Sequence, residues 1–335
     1  MTSSWTTGRA VFRPRLAAAV VGVLAATVSA GTADAEPAPA PGRALVVLGD
    51  SYTANPPCDA VLVKCSDSNS TGLRACLHGP TSWPVQLSGL MGVAAEDFEN
   101  NSCSSATIDT GPVTSTGQQV AGRDGYTLAQ EAIEAARDGS FGPRTQVVAI
   151  QLGFNDAWPK DDAITADATR VFTCVFNVLE GCDENAVAEG RWPALDAITG
   201  TAFADRIRKV VDYVKYYAPN ARIELVGYPE VAPEGASEWC FDFLGLVHWV
   251  QPRARAMVEF WNRLQDAQRD AAGILQIDFV DVKQATSGHG LCSADPWFNG
   301  FLDPQINLAG LPFHPSPRGD AAVAATVYSH VAQTH

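Results

Sequence analysis

Four short apolar runs, separated by stretches with helical spacing, are the feature that most restricts how this chain can fold. The runs cover residues 44–48, 146–152, 222–227 and 275–281, and a weaker fifth candidate covers 93–98. Short runs rich in β-branched residues that stop at glycine or aspartate are typical of buried parallel strands. Because strands and helices alternate, we expect a three-layer α/β/α sandwich around a mostly parallel, five-stranded sheet.

Helix signals fall between these runs. Thr127 and Gln130 form a capping-box pattern that opens a helix. Ser316 is a good N-cap and Pro317 suits the first helical position, so a last helix starts there. These two start signals predict helices over residues 127–137 and 316–332, and helical spacing of apolar residues predicts two more over 203–217 and 250–271.

The first 35 residues have the three parts of a secretory signal peptide. Three arginines give a positive start, residues 16–30 are apolar, and Ala-Asp-Ala at 33–35 forms a cleavage site of small residues. The apolar run is too short to span a bilayer stably, which makes a membrane anchor the weaker alternative. We therefore expect a secreted protein that is cleaved near Ala35 and has no stable membrane insertion.

The remaining chain is predicted to be one domain. Residues 36–43 are a Pro/Ala-rich lead-in, and 44–335 show no internal repeat and no clean linker. A long irregular insert covers about 157–200. Its aromatic residues either line an acyl pocket or form the small core of a tied loop; they are Trp158, Phe172, Phe176 and Trp192.

Composition limits the partners and the chemistry. The chain has eight cysteines, and an even number in an exported protein predicts four disulfides. Closeness in sequence favours Cys174–Cys182 and then Cys58–Cys65. Because no CxxC or HxxxH spacing occurs, we predict no metal site. The formal net charge of -14 argues against nucleic-acid binding and against attraction to anionic membranes.

Reactive side chains lie where the predicted strands end. Ser51 follows the first run, Asn155 follows the run at 146–152, and His314 precedes the last helix. In an open parallel sheet the carboxyl ends of the strands form the active site. A serine nucleophile needs a base, and a tetrahedral intermediate needs hydrogen-bond donors for its oxyanion. These three residues therefore predict acyl-transfer chemistry.

Three sequence blocks resemble those of the SGNH (GDSL) hydrolases. Gly-Asp-Ser-Tyr at 49–52 resembles the GDSx block, Gly-Phe-Asn-Asp at 153–156 resembles the GxND block, and His-Pro at 314–315 resembles the final block. The order of elements also matches, from residue 44 to the end. The resemblance implies a flavodoxin-like α/β/α fold and a secreted lipase or esterase that needs no cofactor.

The resemblance also implies roles. Ser51 is the expected nucleophile and His314 its base. The expected oxyanion donors are the backbone N–H of Ser51, the backbone N–H of Ser105 and the side-chain amide of Asn155. Ser105 stands where the family has glycine, so this assignment requires that serine accept a glycine-like φ angle.

A second departure concerns the residue that orients His314. Family members often have aspartate three residues before the histidine, and here that position is Leu311. We expect a Ser-His dyad in which the carbonyl of Leu311 or a near neighbour binds Nδ1 and leaves Nε2 free. The alternative is that Asp303 folds back to the histidine.

Exported relatives tie the loop after the nucleophile to the second block, which implies Cys76–Cys103 and then Cys240–Cys292. The expected substrate is a small-molecule or lipid ester, first a fatty-acyl ester, and the expected state is a monomer. A carbohydrate acetyl esterase and a non-catalytic secreted binding protein are the alternatives. With an ordinary histidine pKa of roughly 6–7, activity should be highest at neutral to alkaline pH.

Overall fold

A five-stranded parallel sheet forms the centre of the protein in a computed structural model that describes residues 40–57, 76–110, 126–159, 168–303 and 308–333. The strands are β1 (Leu45–Gly49), β2 (Phe98–Asn100), β3 (Val147–Gln151), β4 (Arg222–Val226), β5 (Trp239–Phe243), β6 (Val247–Gln251) and β7 (Asp278–Val280). The central sheet has the order β2-β1-β3-β4-β7, and every neighbouring pair is parallel. This confirms the predicted sheet.

Helices cover both faces of the sheet. They are α1 (Ser51–Ala54), α2 (Trp83–Leu90), α3 (Leu128–Arg137), α4 (Ala168–Phe176), α5 (Glu184–Ala188), α6 (Gly200–Tyr217), α7 (Arg255–Leu275), α8 (Val282–Ala285) and α9 (Pro317–Ala332). Alternate residues of β1 enter different cores: Val46 and Leu48 belong to one, and Leu45 and Val47 to the other. This two-residue period across a doubly covered sheet explains why the strands are continuously apolar.

The predicted helix starts at α3 and α9 are present. Thr127 and Gln130 make both hydrogen bonds of the capping box. Ser316 accepts from the N–H of Gly319, and Pro317 follows it. These local signals are reliable because each bonding partner lies within three residues.

The helix predicted from residue 250 is wrong at its start. Residues 247–251 form β6, which pairs antiparallel with β5, and α7 begins only at Arg255. The apolar residues of β5 have a period of two, which fits a strand, and β6 supplies its hydrogen-bonding partner. The hairpin of β5 and β6 is a separate two-stranded sheet.

The predicted strands at 275–281 and 93–98 are also displaced. Helix α7 continues to Leu275 and ends where Gln276 adopts a φ of 53°, so β7 starts at Asp278. A 3₁₀ turn occupies Ala95–Asp97, and β2 starts after it. Apolar runs alone do not separate a helix end from a strand start.

Three disulfides connect described segments. They join Cys76 to Cys103, Cys174 to Cys182 and Cys240 to Cys292, with Cα–Cα distances of 5.1, 5.3 and 5.0 Å. The fourth predicted pair, Cys58–Cys65, lies outside the described residues, as do the predicted signal peptide and the first half of the lead-in. Across the described ranges, no helix combines the length and the apolarity needed to cross a membrane.

Candidate active site

Ser51 lies in a tight turn between β1 and α1. Asp50 is the N-cap of α1, and its Oδ1 accepts from the N–H of Tyr52 at 2.9 Å. A Cβ at Gly49 would collide with Thr53, so the strand can reach this turn only with glycine. As the first residue of α1, Ser51 has a backbone N–H without an acceptor inside the helix. The turn therefore presents a hydroxyl and an N–H donor together.

His314 lies next to this turn. Its Nε2 is 2.8 Å from Oγ of Ser51, and its Nδ1 is 2.8 Å from the carbonyl oxygen of Pro312. A carbonyl only accepts, so Nδ1 carries the proton in this hydrogen bond. In a neutral imidazole Nε2 is then the acceptor, and it faces the Ser51 hydroxyl. The pair has the geometry of a nucleophile and its general base.

The residue that orients the histidine is Pro312. The carbonyl of Leu311, the first candidate from the sequence, accepts instead from the side-chain amide of Asn299 at 3.0 Å. The acceptor of the Nδ1 hydrogen bond is therefore the carbonyl of Pro312, a near neighbour of Leu311. The alternative, Asp303, has its carboxylate beside Gly245 of the β5–β6 hairpin.

Tyr52 packs against the imidazole of His314 and binds the backbone of the histidine loop. Its ring stacks on the imidazole of His314 with centroids 4.2 Å apart, and its hydroxyl donates to the carbonyl of Phe313 at 2.8 Å.

Burial lowers the pKa of His314 from 6.5 to about 4, and the hydrogen bond from Nδ1 to Pro312 partly opposes this shift. The imidazole is therefore neutral over most of the pH range, as a general base must be.

The second block has the backbone conformation that the oxyanion assignment of Ser105 requires. Ser105 has a φ of 65°, in the left-handed region where the family has glycine. The loop is tied to β1 because the N–H of Cys103 donates to the carbonyl of Gly49 at 2.8 Å. The side-chain amide of Asn155 donates to the carbonyl of Ala106 at 3.0 Å, which uses one of its two N–H groups. The structure thus brings the turns of Ser105 and Asn155 together.

Asp156 is fully buried, and its carboxylate binds the loop after the second block and a side chain of α6. It accepts from the N–H of Ile108 at 2.9 Å and from the hydroxyl of Thr110, and it forms an ion pair with Arg206. Burial raises the pKa of Asp156 to about 6, and the charge of Arg206 opposes this shift. Its role is to hold the loop after the second block against α6.

Tyr228 is a site residue that the sequence analysis missed. It follows β4, and its hydroxyl donates to Oδ2 of Asp50 at 2.5 Å and accepts from the N–H of Phe154 at 3.2 Å. The available signal was its position just beyond the carboxyl end of a predicted strand. Nothing in the sequence indicates which side chains the hydroxyl would meet.

The aromatic residues of the insert divide into two groups. Trp158 and Trp192 are 1% exposed and belong to the core. Phe172 lies 5.7 Å from Phe313, the residue before the histidine, and Phe176 packs against the β5–β6 hairpin with partial exposure. The two tryptophans match the core interpretation, and the two phenylalanines extend an apolar surface from the histidine loop.

Two groups of described side chains have the chemistry of metal ligands: Glu238 with Cys240 and Cys292, and Glu224 with Asp278 and His330. The two cysteines of the first group are joined in a disulfide. In the second group, Arg222 already forms ion pairs with both carboxylates at 3.0 and 2.8 Å. The second group includes Asp278, the first residue of β7, and so lies toward the amino ends of the strands, away from the site at their carboxyl ends.

Comparisons with known proteins identify the family whose sequence pattern this chain matches. The GDSL-like lipase/acylhydrolase family model matches residues 47–322. Lipase 2 of Streptomyces coelicolor is 28% identical over 318 residues, which cover 91% of this chain and 92% of the relative. Lipase 1 of the same organism is 26% identical with the same coverage of both chains.

Solved structures with the same fold include an extracellular lipase from Streptomyces rimosus. It has a TM-score of 0.54 and 19% identity, and the match covers 88% of this chain and 99% of that structure. Phospholipase A1 from Streptomyces albidoflavus has a TM-score of 0.51 and 20% identity, with 87% and 98% covered. At these identities the match establishes the fold.

Proposed function

The chain belongs to the GDSL-like lipase/acylhydrolase family, and from this premise we propose that it is a secreted serine esterase or lipase acting on fatty-acyl esters. The observation that carries the proposal is the 2.8 Å contact between Oγ of Ser51 and Nε2 of His314. The Pro312 carbonyl completes the arrangement by holding the proton on Nδ1.

In the first step Oγ of Ser51 attacks the ester carbonyl carbon, and Nε2 of His314 takes the hydroxyl proton. The tetrahedral intermediate collapses as the imidazolium gives this proton to the leaving alcohol. The acyl group is then bound to Ser51. In the second step a water attacks the acyl-enzyme, His314 again serves as base, and the carboxylic acid is released.

The oxyanion forms between three donors. We assign these to the backbone N–H of Ser51, the backbone N–H of Ser105 and the side-chain amide of Asn155. Support comes from the first helical position of Ser51, from the left-handed φ of Ser105, and from the hydrogen bond that fixes the Asn155 amide beside Ala106. Donors of this kind are effective because they are oriented before the reaction begins.

The surroundings of the histidine favour an apolar acyl chain. Phe313, Phe172 and Phe301 pack with ring centroids 5.3 to 5.7 Å apart. Leu246, at the tip of the neighbouring hairpin, is 85% exposed. Apolar pocket walls gain free energy with each methylene that they bury. The relatives named as lipases agree with this choice, which makes a fatty-acyl ester the proposed substrate.

Secretion is part of the proposal. It rests on the signal-peptide pattern of the first 35 residues and on the three disulfides, which form in oxidising compartments. Mass spectrometry of protein recovered from the culture medium of an actinobacterial host should find a mature N-terminus after Ala35. Retention of the full-length chain in the cells would contradict this part.

Labelling with a fluorophosphonate probe tests the catalytic proposal. The wild-type protein should be labelled at Ser51, and Ser51→Ala should lose both the label and ester hydrolysis. Ser88→Ala, which removes a hydroxyl from α2 away from the site, is the matched control. An unlabelled wild-type protein would indicate a non-catalytic binding protein. A p-nitrophenyl ester series from acetate to palmitate should show preference for longer chains, and strict preference for acetate would point to a carbohydrate acetyl esterase.

A further inference from the structure

We propose that Tyr228 is a positioning residue of the hydrolase, and that its hydroxyl sets the distance between the Ser51 turn and the Asn155 turn. The inference rests on the proposed function. The hydroxyl donates to Asp50 at 2.5 Å, and Asp50 caps the helix that starts with Ser51. The same oxygen accepts from the N–H of Phe154, the residue before Asn155.

The sheet order explains why this residue is a tyrosine. Tyr228 follows β4, whereas Asp50 follows β1, and β3 lies between these strands. With neighbouring strands 4.7–4.9 Å apart, the two strand ends are separated by about 10 Å. The tyrosine side chain and the Asp50 carboxylate that it meets together span this separation. The tyrosine passes the end of β3, where it meets the Phe154 N–H.

The tyrosine is held before any substrate binds. Its side chain is 1% exposed, and its ring packs edge-on against Tyr52 at 5.2 Å and Trp261 at 5.4 Å. Its backbone N–H donates to the side chain of Gln265 at 3.1 Å. A buried ring that is packed against two aromatic neighbours and held at its backbone has little freedom to move, so the hydroxyl is fixed between the two turns.

The two carboxylate oxygens of Asp50 accept different hydrogen bonds. Oδ1 accepts from the N–H of Tyr52 and forms the helix cap, while Oδ2 accepts the hydroxyl hydrogen of Tyr228. Loss of the hydroxyl therefore leaves the Ser51 cap in place. What it removes is the connection to Phe154, and with it the support for the adjacent Asn155 amide.

Catalysis is sensitive to such support because oxyanion donors act only when they are correctly placed. A displacement of about 1 Å can lower a rate by about 100-fold. We expect Tyr228→Phe to lower kcat by about 10- to 100-fold while KM changes by less than about 3-fold, since the donors act on the transition state. Tyr213→Phe, which removes a partly exposed hydroxyl on α6, should leave both constants unchanged.

A double-mutant cycle with Asn155→Ala separates positioning from general loosening. Asn155→Ala alone should lower kcat by about 100- to 1,000-fold. When this amide is absent its placement no longer matters, so adding Tyr228→Phe should lower kcat by less than about 3-fold further. An equal additional loss in both backgrounds, or an unchanged kcat in Tyr228→Phe alone, would overturn the proposal.

Hydrogen exchange gives a readout that does not depend on activity. The Phe154 amide should exchange faster in Tyr228→Phe, because its acceptor is gone, while distant amides and the circular dichroism spectrum stay unchanged. Unaltered exchange at Phe154 would count against the link. If Tyr228→Phe does not fold, Asp50→Asn removes the carboxylate that accepts the hydroxyl hydrogen and should show the same non-additivity with Asn155→Ala. An inactive wild-type protein would instead refute the proposed function.

Discussion

Nδ1 of His314 donates to the carbonyl of Pro312, only two residues earlier in the chain, at 2.8 Å. The histidine is thus oriented by its own loop and by a neutral partner. A backbone carbonyl fixes the tautomer but adds no full negative charge beside the imidazole. Its electrostatic support for the imidazolium is weaker than that of a carboxylate, and this has a measurable effect on pH dependence.

The acid limb of the activity profile should lie at low pH. Burial lowers the pKa of His314 to about 4, and the base acts only when neutral, so kcat/KM should rise with pH through about 4. This is below the value of roughly 6–7 expected from the sequence alone. Initial rates with a neutral ester between pH 3 and 9 would measure the midpoint. A midpoint near 6.5 in the free enzyme would contradict the prediction.

Loss of activity at low pH could also come from unfolding, so the stability of the protein must be measured at each pH. A histidine with a depressed pKa binds its proton more readily when unfolded, so it contributes stability above pH 6.5 that is lost as the pH falls toward 4. Circular dichroism at each pH, and recovery of activity on return to pH 7, would distinguish titration from unfolding.

Tyr52→Phe should weaken the support of the histidine loop. The ring can still stack on His314, but the buried carbonyl of Phe313 loses its donor. An unsatisfied buried group costs about 1–3 kcal/mol, so the free energy of unfolding should decrease by about that amount. Urea denaturation would measure the change, with the partly exposed Tyr213→Phe as the control. A loss no larger than that of the control would show that this hydrogen bond contributes little.

Substitutions at Ser105 should follow its backbone angle. At a φ of 65°, Ser105→Gly relieves a left-handed strain of about 1–2 kcal/mol, offset in part by added chain entropy, and should keep near-wild-type kcat. Ser105→Val adds a β-branched side chain in a conformation it resists and should lower both stability and kcat. Comparable kcat values for the valine and glycine variants would mean that the Ser105 N–H is not an oxyanion donor.

Arg206→Met should destabilise the protein more at pH 8 than at pH 5. The buried carboxyl of Asp156 has a pKa raised to about 6, and Arg206 is its ion-pair partner. Without the guanidinium, which lowers this pKa, the carboxyl at pH 8 is either an uncompensated buried charge or is protonated at a free-energy cost, up to about 3–5 kcal/mol. At pH 5 the carboxyl is mostly protonated with or without Arg206, so the loss is much smaller.

Chemical denaturation at the two pH values would measure this difference. Arg208→Met removes an exposed partner of Asp205 on the same helix and should change stability by less than about 1 kcal/mol at either pH. Equal losses for Arg206→Met at both pH values would contradict the assignment of Asp156 as the cause.

The parts of the site that could be predicted follow from local rules. Ser51 and Asn155 lie just beyond apolar strand cores, and the carboxyl ends of parallel strands share one edge. Ser316 and Pro317 mark a helix start, which places His314 before it. These signals need only neighbouring residues and a knowledge of sheet topology, and they are sufficient for the central parallel sheet and the helix layers on its two faces.

What could not be predicted depends on contacts between distant segments. The β5–β6 hairpin was missed because its second strand, with exposed valines, reads equally well as the start of a helix. The Leu311 carbonyl accepts from the side-chain amide of Asn299, twelve residues away, while the Pro312 carbonyl accepts from His314, and the sequence does not indicate this division. Tyr228 reaches its partners only because β4 lies two strands from β1. No periodicity in the sequence encodes such a pairing.

The contact between Ser51 and His314 joins residues that are 263 positions apart. A chain that is synthesised from its amino end therefore presents the serine long before the histidine. Until the segment before α9 has docked, the Ser51 hydroxyl has no histidine beside it, and we expect no ester hydrolysis. The order in which the chain emerges thus delays the pairing of Ser51 with His314 until the carboxyl-terminal segment has folded against the sheet.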